Sequence, residues 1–269
     1  GCAAAKCNIP AVLTRRVDNL EAAFAARVKY RSYRAVIAIS RAIEALLVKG
    51  VGLSQSRVRR IESAVDTERF RPDEGRERLL AVTGLPDDVD LIGVVAQLIP
   101  RKGHDVLLGI LPALVDHYPR LRVLFFGQGS EAGKLQHRIR KLNLNEYVKM
   151  LGFRDDLPCL LSGLDLLVHP ARREGMGVAV LQGMSAGVPV VASNVGGIAD
   201  VIQDGAQGIL IEPDDPPALI EALKCLLDDP ELRNRLGNAG RSHVEEKFSI
   251  SRMTESHLTI YGSVSEGRL

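Results

Sequence analysis

From Asp90 onward, short runs of branched apolar residues alternate with helix-length stretches of 3.6-residue period, and this alternation constrains the fold more than any other feature. Leu91 to Ala96 reads as a strand, His104 to Tyr118 as a helix, Leu121 to Phe126 as a strand and Glu131 to Leu142 as a helix. Four further strands centre on Val148, Leu166, Val190 and Ile209, and the stretch from Pro216 to Tyr261 reads as helical throughout. Strands alternating with helices imply an α/β fold, a Rossmann-like doubly wound parallel sheet with right-handed crossovers. Such a sheet binds its ligands at the carboxyl ends of its strands. The acidic run Asp87-Asp88-Val89-Asp90 precedes the first of these strands, on the wrong side for a ligand, and reads as a solvated loop.

The first sixty residues hold only pieces of a sheet. Residues 9–14 read as a strand, Leu20 to Tyr30 as a helix, Ala35 to Ile39 as a second strand, and a helix follows from Ser40. Two strands cannot bury both faces of a parallel sheet, so this segment is expected to complete a larger domain. The chain starts Gly1-Cys2-Ala3 without methionine or signal-peptide pattern, which fits a missing beginning. Residues 1–60 also carry 12 Lys/Arg against 3 Asp/Glu, whereas the rest has about seven excess negative charges. A solvated face accounts for this, or else contact with an anionic membrane leaflet or an acidic acceptor glycan. Nucleic acid is disfavoured, since aromatic residues make up only 4% of the chain and no stacking motif interleaves with the charges.

Composition excludes several other classes. With 269 residues, 46% hydrophobic and 25% charged, the chain can bury a sizeable core, and no apolar run approaches the 18 residues of a spanning helix. Cys2, Cys7, Cys159 and Cys225 lack any C-x-x-C spacing, so they are expected to be buried reduced thiols in a soluble, cytoplasmic protein.

The chemistry concentrates after the strands. Glu174-Gly175-Met176-Gly177 follows the apolar run Leu164 to Val168 and its His169-Pro170 end, and a short helix is expected to begin near Gly177. Free N–H groups and the positive end of a helix dipole suit a diphosphate, while the Glu174 carboxylate suits sugar hydroxyls. Three more loops fall at strand ends: Gln97 to Gly103, Gly127-Gln128-Gly129, and Gly152-Phe153. A dinucleotide-dependent oxidoreductase would need G-x-G-x-x-G after the first strand, and Gln97 to Gly103 does not supply it.

At these positions the chain resembles the retaining GT-B glycosyltransferases called family 4 or group 1. The likeness rests on Ala96-Gln97-Leu98 with Lys102-Gly103, Gly127-Gln128-Gly129, Glu174 to Gly177, Gly187-Val188-Pro189-Val190-Val191-Ala192 and Ser193 to Gly197. It implies that Lys102 neutralises a departing diphosphate and Glu174 holds hydroxyls of the transferred sugar. It also implies donor contacts from Gln97, Arg101, Gly129, Phe153, Gly175, Met176, Gly177, Val178 and Gln182, with Phe153 near the nucleobase. Two positions depart from the family: its diphosphate-binding Arg is Gln97 here, with Arg101 placed to compensate, and the second Glu of its Glu pair is Gln182. Gln182 can still accept from one ribose hydroxyl and donate to another, losing a charge-assisted part of about 1 kcal/mol. His104 and His169 are read as structural, and Asp155-Asp156 as the cap of a short helix.

The resemblance further implies a layout. Residues 1–60 would end an acceptor domain, 61–88 would be a linker, 89–245 the nucleotide-sugar donor domain, and 246–269 a helix returning to the first domain. The implied function is transfer of a sugar from a nucleoside-diphosphate sugar to a glycan or lipid-linked acceptor, with retention. Neither metal nor other cofactor is called for. The implied setting is bacterial surface polysaccharide or lipopolysaccharide synthesis, in the cytoplasm or peripherally at the inner face of the cell membrane. The family's catalytic His belongs to the part of the first domain not represented here. A non-catalytic or truncated nucleotide-sugar-binding module is the alternative, favoured by Gln97 and Gln182.

Overall fold

The computed structural model describes residues 2–268 except Asn8 and Leu20, and of Cys2, Ala5 and Ala23 only the backbone. Two parallel sheets organise it. The smaller has the order β1-β2-β3, built from β1 (Val12–Arg15), β2 (Ala35–Ala38) and β3 (Val58–Arg60). The larger comprises β4 (Asp90–Val95), β5 (Leu121–Phe126), β6 (Val148–Gly152), β7 (Leu166–His169), β8 (Val190–Ser193) and β9 (Ile209–Ile211), ordered β6-β5-β4-β7-β8-β9. Eleven α-helices are described: α1 (Cys2–Lys6), α2 (Ala23–Tyr30), α3 (Arg41–Ala45), α4 (Gly75–Thr83), α5 (His104–Val115), α6 (Ala132–Lys141), α7 (Val178–Ser185), α8 (Ile198–Val201), α9 (Pro216–Asp228), α10 (Pro230–Lys247) and α11 (Ile250–Ser265).

Alternation along the strands of the larger sheet sorts its side chains into two cores. Ile92, Val94, Val123, Phe125, Leu166 and Val168 meet the apolar stripes of α5, α6 and α9 on one face. On the other face Leu91, Leu124, Phe126, Leu167 and Val190 meet Val180, Leu181 and Met184 of α7. That second core runs on without a break into Val36, Ala38, Ile43 and Leu47 of the first sixty residues, so the two sheets share one apolar interior. A third cluster packs Ile260 and Val264 of α11 on Ala35 and Ile37 of the smaller sheet.

The strand order decides where a ligand can enter. From β4 the chain proceeds outward to β5 and β6, then crosses back to β7 on the opposite side of β4 and proceeds to β8 and β9. The loops after β4 and β7 therefore leave in opposite directions and open a crevice between them. Lys102 lies in one of those loops and Glu174 in the other.

Several expectations need correction. The first strand starts at Val12 rather than residue 9, the expected helix start at Leu20 lies outside the described residues, and a third strand, β3, joins the smaller sheet. Its sequence Val58-Arg59-Arg60 carries one apolar residue, too few to show a period. Within 61–88, α4 packs on the larger sheet's flank, with Arg76 bonded to Asp165 and the carbonyl of Gly163. The helical stretch after Pro216 is interrupted at Asp229 and Ser249, which cap the next helices through side-chain bonds to the N–H groups of Leu232 and Arg252. Cys7, Cys159 and Cys225 are exposed, not buried. Cys225 faces away from the stripe of Leu219, Ala222, Leu223 and Leu226 that α9 buries. The thiol of Cys2 lies outside the described residues. Asp156 pairs with Arg154 instead of capping the short turn at Leu157–Cys159. No described helix is long and apolar enough to cross a membrane.

Candidate functional site

The carboxyl ends of both sheets border one cleft of about 250 Å³. Arg16 follows β1, Ile39 follows β2 and Ser63 follows β3; Gln97, Arg101 and Lys102 come from the loop after β4. His169 ends β7, and Glu174, Met176, Gly177 and Val178 come from the loop that leads into α7. A larger hollow of about 700 Å³ lies at the amino ends of β1, β2 and β3, beside Arg31, Arg34 and Arg57. Among the described residues that line it there is no carboxylate and no helix N-terminus, so chemistry and not size selects the smaller cleft.

Local geometry explains how the two loops are held. Gly103 adopts a left-handed φ of +69°, and a Cβ there would stand 1.8 Å from the Pro170 carbonyl oxygen, so only glycine lets the Lys102 turn sit against the loop after β7. Gly196, at φ +56°, packs equally closely on the Glu174 carbonyl. Arg172 ties the loops together: its guanidinium donates to both carboxylate oxygens of Asp105 at 2.8 Å, to the Pro100 carbonyl at 2.7 Å and to Asp214 at 2.8 Å. Its backbone N–H donates to the Arg101 carbonyl at 2.8 Å. Bidentate pairing of this kind fixes orientation as well as distance.

At the centre is the Glu174 carboxylate. Its Oε2 accepts from Lys102 Nζ and, at 2.8 Å, from His169 Nε2, while Oε1 accepts the N–H of Gly175 at 3.1 Å. The Lys102 and Glu174 side chains are only 10% and 12% exposed. Burial alone would push the Glu174 carboxyl upward, but the contacts with His169 and Lys102 outweigh it and hold the group down at about 2. It is therefore an anion at any physiological pH. The N–H groups of Gly177, Val178 and Ala179 at the N-terminus of α7, and that of Met176 just before it, have no acceptor among the described residues. A fixed ammonium, four free N–H donors and an ionised carboxylate thus share one cleft, an arrangement suited to an anion bearing a polyhydroxyl group.

Among the expected site residues, Gln97, Arg101, Lys102, Glu174, Met176, Gly177 and Val178 all line the cleft. Among the described residues, the Arg101 guanidinium makes a single hydrogen bond, a long 3.5 Å contact to the Arg173 carbonyl, which leaves it available beside Gln97. Gly175 and Gly129 lie behind the lining: the former bonds Glu174, and the latter packs on the Leu98 backbone, where Leu98 N–H donates to the Gln128 carbonyl at 2.9 Å. Gln182 sits half-buried on α7, one turn beyond the cleft. Phe153 is 66% exposed and does not line the cleft. His104 fits the structural reading, with its buried ring edge-on to Phe125 and both nitrogens without a partner. Burial, and then the nearby His169, hold its imidazole down at about 4. His169 is equally buried, at 2% exposed, but its Nε2 reaches Glu174 at 2.8 Å. Sequence reasoning also passed over Arg16, Ile39 and Ser63, although each lies just past a strand's carboxyl end, the same rule that found Lys102.

Known proteins similar to this chain in sequence and fold are glycosyltransferases. The model of the family described as glycosyl transferases group 1 matches residues 75–243. The chain is 33% identical over 208 residues to a GDP-mannose-dependent monoacylated alpha-(1-6)-phosphatidylinositol monomannoside mannosyltransferase of Corynebacterium glutamicum, covering 72% of this chain and 53% of that protein. To the putative glycosyltransferase EpsD of Bacillus subtilis it is 32% identical over 218 residues, covering 80% of this chain and 57% of the relative. The chain thus spans about half the length of the curated relatives it matches. Among solved structures, Anabaena Alr3699/HepE in complex with UDP superposes with a TM-score of 0.89 at 22% identity, over 97% of this chain and 74% of that one. WaaG, a glycosyltransferase involved in lipopolysaccharide biosynthesis, superposes at 0.78 with 22% identity, over 92% of this chain and 74% of that one. These likenesses identify the two-sheet α/β architecture as that of the GT-B glycosyltransferases. By its sequence match and its fold, the chain belongs to the group 1 glycosyltransferases.

Proposed function

We propose that this chain binds a nucleoside-diphosphate sugar and forms the donor side of a retaining transferase. The acceptor is a glycan or lipid-linked sugar of bacterial surface polysaccharide or lipopolysaccharide synthesis. The observation that carries the reading is the meeting of Lys102, Glu174 and the free N–H groups of α7 at the switch point between β4 and β7. Breaking a sugar–phosphate bond builds negative charge on the leaving diphosphate. Lys102, Arg101 and the N–H groups of Met176, Gly177 and Val178 stabilise that charge more than they stabilise the bound donor, which is what accelerates the step. Glu174 accepts hydroxyls of the transferred sugar. No metal enters this account, since the fixed positive groups supply the neutralisation. The Corynebacterium relative's name specifies GDP-mannose and the Anabaena structure holds UDP, so both nucleotides are candidates.

The basic first segment supports a peripheral contact with an anionic inner-membrane surface. On α2, Phe24 is 82% exposed and Val28 is exposed one turn later, flanked by Arg27 and Arg31. A second reading, a binding module without turnover, draws on Gln97 and Gln182, where charged residues are replaced by neutral ones.

Calorimetric titration with UDP, GDP and ADP tests the donor reading. The expected result is saturable binding of one nucleotide, weakened about tenfold or more in Lys102→Ala, the loss typical of a charged hydrogen bond. No binding by folded protein sinks the reading. Incubation of the full-length protein with the matching sugar nucleotide and membrane lipid extract then separates transferase from binding module by release of free nucleotide.

A further inference from the structure

We infer that His169 is a positioning residue for Glu174, holding the carboxylate in its sugar-facing place while Lys102 turns to the diphosphate. The inference rests on the donor-site reading and goes beyond it. Glu174 lies in a stretch without regular structure, between the end of β7 and the start of α7, so its backbone does not fix its carboxylate. His169 is fixed: it is the last residue of β7, paired in register with Ala192 of β8, and only 2% exposed. Its Nε2 stands 2.8 Å from Glu174 Oε2, the same oxygen that Lys102 Nζ contacts.

Two donors on one oxygen serve two tasks. A cation that neutralises phosphate charge must approach the phosphates, and as Lys102 does so its contact with Glu174 lengthens or breaks. A buried carboxylate left without donors would take up a proton or swing toward water, and either would remove it from the sugar hydroxyls. With His169 Nε2–H on Oε2 and Gly175 N–H on Oε1, the carboxylate keeps one donor per oxygen whatever Lys102 does. The remaining lone pairs stay directed into the cleft. This role requires the proton of His169 on Nε2. A ring serving only to fill space between β7 and its neighbours would have no such requirement.

The difference is measurable because a nucleoside diphosphate lacks the sugar. The probes are whichever of UDP, GDP or ADP binds the wild-type chain, together with UDP-glucose, GDP-mannose or ADP-glucose to match. For His169→Phe, which keeps the bulk but removes the donor, affinity for the sugar nucleotide is expected to fall about tenfold or more. Affinity for the nucleoside diphosphate should stay within about threefold. His169→Gln, whose amide can donate from a similar position, should restore both to within about threefold. Equal losses for the two ligands, no loss for either, or failure of Gln to restore binding would overturn the inference while leaving the donor site standing. Wild-type protein that binds none of the three nucleotides overturns the donor reading and this one with it. Should His169→Phe not fold, long-range 15N spectra of the wild type decide instead. A proton on Nε2 that shifts in Glu174→Gln supports the contact, and an unprotonated Nε2 refutes it.

Discussion

Replacing Glu174 with glutamine should cost stability in a way that depends on pH, and the size follows from the site. The carboxyl is held at about 2 against an ordinary value of 4.5. A depression of roughly 2.5 units corresponds to about 3 kcal/mol favouring the folded state when the group is ionised. Because the folded value is the lower one, this stabilisation is complete above the unfolded value and is lost as pH falls from 4.5 toward 2. The stability gap between wild type and Glu174→Gln should therefore be widest near neutrality, narrow by roughly 0.8 kcal/mol at pH 4, and narrow by roughly 2 kcal/mol at pH 3. His104 titrates in both proteins, so its contribution cancels in the difference. Urea unfolding followed by circular dichroism suits a chain without tryptophan. A gap that stays constant from pH 7 to pH 3 would show that His169 and Lys102 do not hold Glu174 as an anion, and the account of the site would lose its electrostatic basis.

Further outcomes follow from other parts of the structure. His104 is buried with both ring nitrogens unpartnered and held at about 4 against an ordinary 6.5, so the fold should lose about 3 kcal/mol as pH falls from 6.5 toward 4. His104→Phe should reduce that slope by about this amount, leaving the smaller contributions of Glu174 and His243, and, by deleting unpaired polar atoms, leave stability at pH 7 unchanged or higher; an undiminished slope would contradict it. Gly103→Ala forces a side chain into the left-handed region and against the Pro170 carbonyl, so unfolding urea midpoints should report a loss of about 3 kcal/mol or more. Arg172→Ala, although the residue is outside the cleft, should lower nucleotide affinity about tenfold by releasing both loops; unchanged calorimetric affinity would show that the loops hold their places without it.

How much of this was legible beforehand follows from the physics of each element. The central strands β4, β7 and β8 were plain because they are buried on both faces and so read as continuous branched apolar runs. Gly177 at a left-handed φ of +82° marks the start of α7, as the Glu-Gly-Met-Gly pattern suggested. Less was visible in β3 and α4, whose exposed arginines and glutamates mask a single buried stripe. Lys102 and Glu174 could be singled out from their places after strands, but their partner could not. A histidine at the end of an apolar strand looks like core, and only the fold reveals that the chain bends back within five residues to bring Glu174 onto its Nε2. Arg172 was silent for a similar reason, since Asp105 and Asp214 lie far from it in sequence and meet it only when the loops after β4 and β9 converge.

The central claim is that a diphosphate sits at the N-terminus of α7 with Lys102 upon it. A crystal structure of the chain with the nucleotide selected by titration tests this most directly. The account predicts phosphate oxygens within hydrogen-bonding distance, about 2.7–3.2 Å, of Lys102 Nζ and the N–H groups of Met176, Gly177 or Val178, with Glu174 still bonded to His169. A nucleotide bound elsewhere, or bound here with its phosphates away from Lys102 and α7, would contradict it.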